Sequence, residues 1–369
     1  MDLGGWDDEI EHAPKRARQA RSKEIPARER YVIRMPRHLA ARTLRVGSSC
    51  SGALVEAMAL KELQCTHHHV FACDILESSR IFVASNFTVQ QWLNDVHMAE
   101  HSELPEVDLY VAGWCCQPFS SEGRQQGDRD PRSDTVWPIL DYVERRQPKM
   151  FILENVKNWL AKKHVHVLAA VLERLSSIKD EHGQPTYSCA ARVLNSMDFG
   201  LPQQRQRLYI LGLRKDLCSE VVWPSPMRIT PHLAMVYDQN HEVQPITDNY
   251  KLGKTATANI TRCISDMNSS GVPANSDFVI DIGAGRGTIM YYNKMPTITR
   301  SRGQSLGYIF TKFGTRISLP ELMRCQGFKP EQLQWKNLPT SAVGAMVGNA
   351  MSVNVVKHLL RANLASLGF

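Results

Sequence analysis

Residues 44–63, LRVGSSCSGALVEAMALKEL, change from the pattern of a strand to that of a helix across a short turn. The first part is an apolar run of strand length, whereas residues 53–63 carry apolar side chains at helical spacing. Residues 69–75, HVFACDI, return to a strand pattern. This succession predicts two parallel strands joined by a helix, which is the repeating unit of a doubly wound sheet.

The same alternation continues along the chain. It predicts further strands at 107–114, 149–156, 186–194 and 207–214, and helices at 77–87, 135–146 and 165–178. Regularity is lost near Val222 and returns near Asn293, after which we predict a helix at 319–328 and one long terminal helix at 341–367. The fold class is therefore α/β, with a mostly parallel, doubly wound, Rossmann-like sheet and a small second domain.

Composition excludes several classes of protein. The chain has 369 residues with 43% apolar residues, enough to bury a sizeable core. It has no run of about 18 uncharged apolar residues and no signal-peptide core, so we expect an intracellular protein without a membrane span. The nine cysteines are scattered, with no Cys-x-x-Cys pair, so they read as reduced thiols and we predict no metal site.

Positive charge is concentrated near the N-terminus. Between Pro14 and Arg45 there are eleven Lys and Arg residues against two Glu, a net charge of +9 in a chain whose total is +7. Residues 1–42 therefore read as a basic arm that grips phosphates or serves as a nuclear address, which makes the nucleus the expected location. A merely solubilising tail is an equally good interpretation.

Two reactive side chains are expected to share one cleft. Cys116, in the stretch GWCCQPFS (113–120), follows the strand predicted at 107–114, and Glu154 ends the apolar run of the next strand. Ligands of an open parallel sheet bind at the carboxyl ends of its strands, so adjacent strands would bring the thiol and the carboxyl together. Downstream, Arg205 and Arg207 lie two residues apart and are predicted to form a guanidinium fork that clamps an anion or a base.

A cofactor turn is predicted after the first strand. SSCSGALVEA (48–57) contains a single glycine, and Asp74 ends the second strand. A turn that opens a helix, with an acidic residue after the next strand, suits the adenosine of a cofactor whose ribose hydroxyls bind the carboxylate. One glycine instead of three favours a cofactor without phosphates.

With these residues, the chain resembles a known family, the DNA (cytosine-5)-methyltransferases. GWCCQPFSSEGRQQGDRDPRS (113–133) resembles the Pro-Cys-Gln loop of that family, and Glu154-Asn155-Val156 is similar to its Glu-Asn-Val motif. Residues 203–207 fit Gln-x-Arg-x-Arg, while PTITRSRG (296–303) and GNAMSVNVV (348–356) resemble its last two motifs. Five motifs in the family's order, between Leu44 and Val356, form a specific pattern.

The resemblance implies a reaction and a set of residues. Cys116 would add to carbon 6 of a flipped-out cytosine, Glu154 would hydrogen-bond or protonate its ring nitrogen, and Arg205 and Arg207 would hold the base and the loop. The methyl donor would be S-adenosyl-L-methionine, which becomes S-adenosyl-L-homocysteine. It would lie near Cys50, Ser51, Gly52, Asp74, Ile75, Asp95, Val96, Asn349 and Ala350.

The resemblance also implies the organisation of the chain and its partner. After the arm, we expect a catalytic and cofactor-binding domain at 43–218, a target-recognition domain at 219–293 and a return segment at 294–369 whose C-terminal helix packs on the catalytic domain. The expected partner is double-stranded DNA, with RNA as an alternative, and the working expectation for the oligomeric state is a monomer.

Departures from the family pattern leave other functions open. Cys115 replaces the proline before the nucleophile, and Cys50, Leu54 and Val55 replace a phenylalanine and two glycines of the cofactor turn. The rival within the enzyme class is cytosine-5 methylation of a transfer RNA. The rival in another class is a catalytically silent relative that binds nucleic acid, and a cysteine hydrolase is the weakest alternative.

Overall fold

The computed structural model describes residues 43–98, 104–114, 134–218, 220–238, 241–243, 252–273, 275–285 and 289–369. The predicted arm and the loop that carries Cys115 and Cys116 lie outside the described residues. The described residues belong to one compact unit.

The main sheet contains the six strands predicted from the apolar runs and one further strand, at Val89–Leu93, that was not predicted. Its described strands are β1 (Leu44–Ser49), β2 (His67–Cys73), β3 (Val89–Leu93), β4 (Leu109–Ala112), β5 (Met150–Val156), β6 (Tyr187–Asn195) and β7 (Gln206–Arg214). They are ordered β3-β2-β1-β4-β5-β7-β6, and the first five are mutually parallel whereas β7 is antiparallel to both of its neighbours. The predicted α/β fold with a mostly parallel sheet is confirmed.

Helices cover both faces of this sheet. They are α1 (Val55–Glu62), α2 (Glu77–Asn86), α3 (Val136–Arg146) and α4 (Val165–Ser177). Successive residues of a strand point to opposite faces. In β2, Phe71 packs in a cluster with residues of α3 and α4, while Ala72 packs with Leu54, Ala57 and Val83. Each face of the sheet is therefore buried, which explains the nearly continuous apolar runs of the strands.

The carboxyl ends of the parallel strands meet at one edge of the sheet. Ser49 pairs with Cys73 on one side and with Ala112 on the other, and Ala112 in turn pairs with Leu153. The chain leaves β1 toward β2 and later returns on the opposite side to form β4, so the strand order reverses at β1. Such a reversal opens a crevice for ligands at this edge. The expectation that the strands before Cys116 and Glu154 are neighbours is confirmed.

A smaller antiparallel sheet follows the main one in the chain. It contains β8 (Phe278–Asp281), β9 (Met290–Tyr292), β10 (Tyr308–Phe310) and β11 (Thr315–Arg316), in the order β11-β10-β8-β9. Helix α5 (Lys254–Ser269) packs Ile260 and Cys263 against Ile280 and Ile309 of this sheet. The division of domains at residue 293 stays a prediction, but the small sheet takes strands from both sides of it.

The return segment contains α6 (Arg300–Ser305), α7 (Leu319–Cys325), α8 (Thr340–Asn349) and α9 (Val353–Asn363). The prediction of one long terminal helix was wrong, because the chain becomes extended at Ala350, where ψ is 151°. The carbonyl group of Ala350 accepts hydrogen bonds from the side chains of Arg205 and Gln326. These contacts stabilise the break between the helices. Helix α8 contacts α2, and α9 contacts α1. No helix among the described residues is long and apolar enough to span a bilayer.

Helices α6 and α8 approach each other through glycines. A Cβ atom added to Gly344 would overlap the carbonyl oxygen of Gly303, and one added to Gly303 would overlap that of Gly344. Backbone atoms cannot move away as a flexible side chain can. The close approach therefore depends on both glycines.

We expect Gly344→Ala to destabilise the fold by about 3 kcal/mol, because the overlap outweighs the better helix propensity of alanine. Urea unfolding measures the change. Gly285→Ala is the control, since a Cβ there meets no atom within 4 Å, and its effect should stay within about 0.5 kcal/mol. Equal unfolding midpoints for the two variants would contradict the glycine contact.

Candidate active site at the carboxyl ends of the strands

Glu154 lies in β5, directly after the apolar residues 151–153, and pairs with Tyr209 of β7. Its side chain is buried. Burial raises the pKa of the Glu154 carboxyl, because a charged group loses its hydration, while the positive charges of Arg207 and then Arg205 lower it; burial prevails. The protein therefore favours the protonated form of this carboxyl more than water does.

Arg207 is the charged neighbour of this carboxyl. It pairs with Val156 across β5 and β7, and its Nε lies 3.3 Å from Oε1 of Glu154. That oxygen is buried and accepts no hydrogen bond within the described part of the chain. A buried polar atom without a hydrogen bond is costly, so this site is suited to a ligand that supplies the missing partner.

The chain that leads to Cys116 begins beside Glu154. A Cβ atom added to Gly113 would lie 3.3 Å from Oε2 of Glu154, so glycine leaves the space that the carboxyl uses. The Nδ2 atom of Asn155 donates to the carbonyl oxygen of Trp114 at 3.3 Å. Trp114 is the last residue described before the loop of residues 115–133. The positions of Cys115 and Cys116 lie outside the described residues, so the role of Cys116 stays a prediction.

Arg205 has partners different from those of Arg207. Its side chain is buried, and its guanidinium donates to the carbonyl oxygens of Ile298 at 2.8 Å, Ala350 at 2.7 Å and Gly348 at 3.2 Å. All three carbonyls belong to the return segment. The two guanidinium groups therefore do not act as one fork on a common partner. The role of Arg205 toward the base stays a prediction, whereas its contacts tie β7 to the return segment.

The predicted cofactor turn follows β1 at the same edge. Ser51 is tied to the end of β2, because its Oγ donates to the carbonyl oxygen of Cys73 and accepts from the Cys73 amide. Asp74 accepts from the amide of Gly52 at 2.8 Å and from that of Leu76 at 2.9 Å. Burial raises the pKa of Asp74, although these hydrogen bonds oppose it. The carboxylate predicted to bind a ribose thus also holds the turn in place.

The turn has left-handed backbone at Gly52 and also at two residues that are not glycine. The φ angle is 52° at Cys50, 52° at Gly52 and 57° at Leu54. A residue with a Cβ atom pays roughly 1–2 kcal/mol in this conformation. Leu54 is fully buried against Ala57, Ala72 and Val83, and this contact offsets the strain. The replacements therefore alter the side chains of the turn while its backbone keeps a conformation that glycine favours.

The surroundings of the turn fit the adenosine part of a cofactor. A Cβ atom added to Gly52 meets no atom of the described residues within 4 Å, so none of them fills the space beside this glycine. Asp74 offers a carboxylate beside Gly52, and the side chain of Ile75 is 76% exposed although it is apolar. Asp95 accepts from the amide of His97 with one oxygen of its carboxylate. Carboxylates suit ribose hydroxyls and an exposed apolar side chain suits an aromatic ring. Of the other predicted contacts, Val96 and Ala350 are buried and Asn349 is exposed.

Two buried glutamines belong to the site's framework: Gln203, which the sequence analysis quoted only as the first residue of a motif, and Gln326, to which it gave no role. Gln203 accepts from the amide of Ile298 at 3.0 Å and donates to the carbonyl oxygen of Cys325 at 2.9 Å and to Oε1 of Gln326 at 2.5 Å. Gln326 donates to the carbonyl oxygen of Ala350 at 2.5 Å. The available signal was a polar residue between apolar ones, as in MRCQGF (323–328), because such a side chain, if buried, needs partners.

Comparison with known proteins places the chain in a family. Residues 46–364 match the family of C-5 cytosine-specific DNA methylases. The type II methyltransferase M.NgoBI of Neisseria gonorrhoeae is 28% identical over 79% of this chain and 84% of its own length. The type II methyltransferase M.HaeII of Haemophilus aegyptius is 29% identical over 74% of this chain and 79% of its own length.

Solved structures agree in fold. A putative DNA modification methyltransferase of an E. coli prophage has a TM-score of 0.61 at 18% identity, covering 89% of this chain and 100% of its own. The Dnmt2 methyltransferase of S. pombe has a TM-score of 0.57 at 18% identity, with the same coverage. Enzymes of the matched family transfer a methyl group from S-adenosyl-L-methionine to carbon 5 of cytosine. This chain belongs to the family of C-5 cytosine-specific DNA methylases.

Proposed function

We propose that this enzyme methylates cytosine in double-stranded DNA through a covalent bond between Cys116 and carbon 6 of the target base. The observation that carries the proposal is the Glu154 carboxyl, which is buried, has a raised pKa and keeps Oε1 free of hydrogen bonds from described residues. It lies at the end of β5, beside the strand that leads into the Cys116 loop.

The chemistry explains why a protonated carboxyl is useful here. Carbon 5 of cytosine is a weak nucleophile, but addition of a thiolate to carbon 6 converts the ring into an enamine that is nucleophilic at carbon 5. The addition moves negative charge onto the ring nitrogen N3. Glu154 hydrogen-bonds or protonates that nitrogen, and the cation of Arg207 holds the carboxyl in place.

The remaining steps restore the ring. S-adenosyl-L-methionine would be held at the turn of residues 50–52 and by Asp74 and Asp95, and it would supply the methyl group for carbon 5 and leave as S-adenosyl-L-homocysteine. A base then removes the proton from carbon 5, the carbon–sulfur bond breaks with its electrons returning to Cys116, and the ring regains its double bond. Because both faces of a stacked base are covered, the cytosine must leave the duplex before Cys116 can reach it.

One experiment tests enzyme, nucleophile and substrate together. The protein is incubated with labelled S-adenosyl-L-methionine and a cytosine duplex, a transfer RNA transcript, or the same duplex with 5-fluorocytosine. Fluorine cannot leave carbon 5 as a proton does, so the covalent adduct should accumulate on the third substrate. Label on RNA alone would favour the alternative substrate, and no label or adduct anywhere would favour a silent binding protein.

Cys116→Ser is expected to abolish methyl transfer and the 5-fluorocytosine adduct, because a hydroxyl is far less nucleophilic than a thiolate. Cys115→Ser is the matched control and should retain most of the activity. Denaturing gel electrophoresis of the labelled adduct measures both variants. If only Cys115→Ser lost the adduct, the nucleophile would be Cys115.

Glu154→Gln is expected to lower kcat by about 100- to 10,000-fold while S-adenosyl-L-methionine still binds. It should also change how stability depends on pH. Since the native pKa of Glu154 is raised, the wild-type protein loses stability as pH rises from the unfolded value of 4.5 through the native pKa. The variant does not lose stability in this way. The difference between its free energy of unfolding and that of the wild type should therefore shift in favour of the variant as pH rises over that range, as measured by urea unfolding.

Glu181→Gln is the control for this pH dependence, because the Glu181 side chain is 85% exposed. Its free energy of unfolding should follow that of the wild type at every pH. A constant difference between Glu154→Gln and the wild type would contradict the raised pKa.

Deletion of residues 1–42 is expected to weaken DNA binding and to flatten its dependence on salt, because fewer phosphates are neutralised. The measurement is the slope of log Kd against log salt concentration for a duplex. An unchanged slope would leave the arm as a solubilising tail or an address for the nucleus.

A further inference from the structure

The turn between α8 and α9 connects two parts of the proposed active site. Ala350, Met351 and Ser352 are buried, although they interrupt the helical segment. Asn349 and Ala350 are among the residues that the resemblance to the cytosine-5-methyltransferases assigns to the cofactor. Residues 349–352 are called the connecting turn below.

The other side of the connecting turn faces Glu154. A Cβ atom added to Gly113 would lie 3.7 Å from Cε of Met351 and 3.3 Å from Oε2 of Glu154. Met351 therefore packs where β4 ends and where the Glu154 carboxyl lies. The connecting turn therefore reaches the proposed cofactor contact directly and the surroundings of Glu154 only through the side chain of Met351.

Gln326 holds the connecting turn at both ends. Its side-chain Nε2 donates to the carbonyl oxygen of Ala350 at 2.5 Å, and its backbone carbonyl oxygen accepts from the amide of Val353 at 3.1 Å. The side chain is fully buried, so water cannot easily replace these bonds. Arg205 is the second donor to the Ala350 carbonyl, at 2.7 Å.

The position requires an amide side chain. Oε1 of Gln326 accepts from Nε2 of Gln203 while Nε2 of Gln326 donates to Ala350. An amide both accepts and donates, whereas an ionised carboxylate only accepts and a thioether does not donate. Gln326 thereby links the connecting turn to Gln203, which immediately precedes the segment that carries Arg205 and Arg207.

We propose that Gln326 is a positioning residue for methyl transfer, which sets the connecting turn at the cofactor site through the carbonyl group of Ala350. The proposal rests on the proposed function, in which S-adenosyl-L-methionine is the methyl donor, and on the assignment of Asn349 and Ala350 to that cofactor by family resemblance. Loss of the Gln326 amide should weaken cofactor binding more than it slows the addition of Cys116 to cytosine. Glu154 and Arg207 are held by β5 and β7, and not by the connecting turn.

The test is Gln326→Met, with two readouts. The first is the Kd of S-adenosyl-L-methionine by isothermal titration calorimetry. The second is exchange of the carbon 5 hydrogen of cytosine with solvent, without cofactor. In this exchange the thiolate adds to carbon 6 and a solvent proton adds to carbon 5. Loss of the original hydrogen as a proton and expulsion of the thiolate then restore the base. We expect Kd to rise about tenfold, as for one lost buried hydrogen bond, with an exchange rate near that of the wild type.

Two further variants complete the design. Gln332→Met changes an exposed glutamine and should leave both readouts unchanged. Gln326→Leu also removes the donor to Ala350 and introduces no charge into this buried position. It should repeat the rise in Kd, and it replaces the methionine variant if that one does not fold.

The outcomes separate this proposal from the one it rests on. An unchanged Kd in a folded Gln326 variant, or an exchange rate that falls as much as the affinity, would overturn the positioning role. A wild-type protein that binds no S-adenosyl-L-methionine would refute the cofactor assignment itself, and the positioning role with it. A wild-type protein that binds the cofactor but exchanges no hydrogen would leave the cofactor assignment standing. It would refute the proposed addition of Cys116 and therefore also the selective effect of Gln326.

Discussion

The parallel register of β1, β2, β4 and β5 is the constraint on which the site depends. Backbone hydrogen bonds between these strands place Ser49, Cys73, Ala112 and Leu153 side by side, so that all four strands end at one edge. A slip of one residue would turn every side chain of a strand to the other face. The buried apolar residues on both faces oppose such a slip. Packing of the core therefore also fixes where the polar residues at the strand ends lie.

The active site places a carboxyl where the fold makes its charge costly. Glu154 stays in the strand, with neighbours that are almost entirely apolar on the N-terminal side, and Arg207 compensates only part of the cost of burial. A carboxyl at the exposed end of a loop would keep an ordinary pKa and would hold a proton less well than this buried one. The same burial that costs stability thus raises the pKa of this carboxyl, as its proposed role toward the ring nitrogen of cytosine requires.

The return segment closes the site through side chains that bind backbone carbonyls. Arg205 donates to Ile298, Gly348 and Ala350, and Gln326 shares the carbonyl of Ala350. The hydrogen bonds of Arg205 join residues that are more than 90 positions apart in the sequence. Every residue has a backbone carbonyl group, so the residues that accept these hydrogen bonds can change without loss of the contact. The donor side chains cannot change in this way. The arginine and the glutamine are therefore the specific part of the contact.

The sequence by itself determined the main strands and helices, because apolar spacing reports which face of each element is buried. The motifs around Cys116, Glu154 and Arg207 also identified the family. Tertiary structure decided the partners of Arg205, the break at Ala350 and the hydrogen bonds of Gln326. These depend on contacts between segments that lie far apart in the chain, and spacing within one segment carries no record of them. Whether a buried polar side chain serves the substrate or the backbone is settled only by what the fold brings next to it.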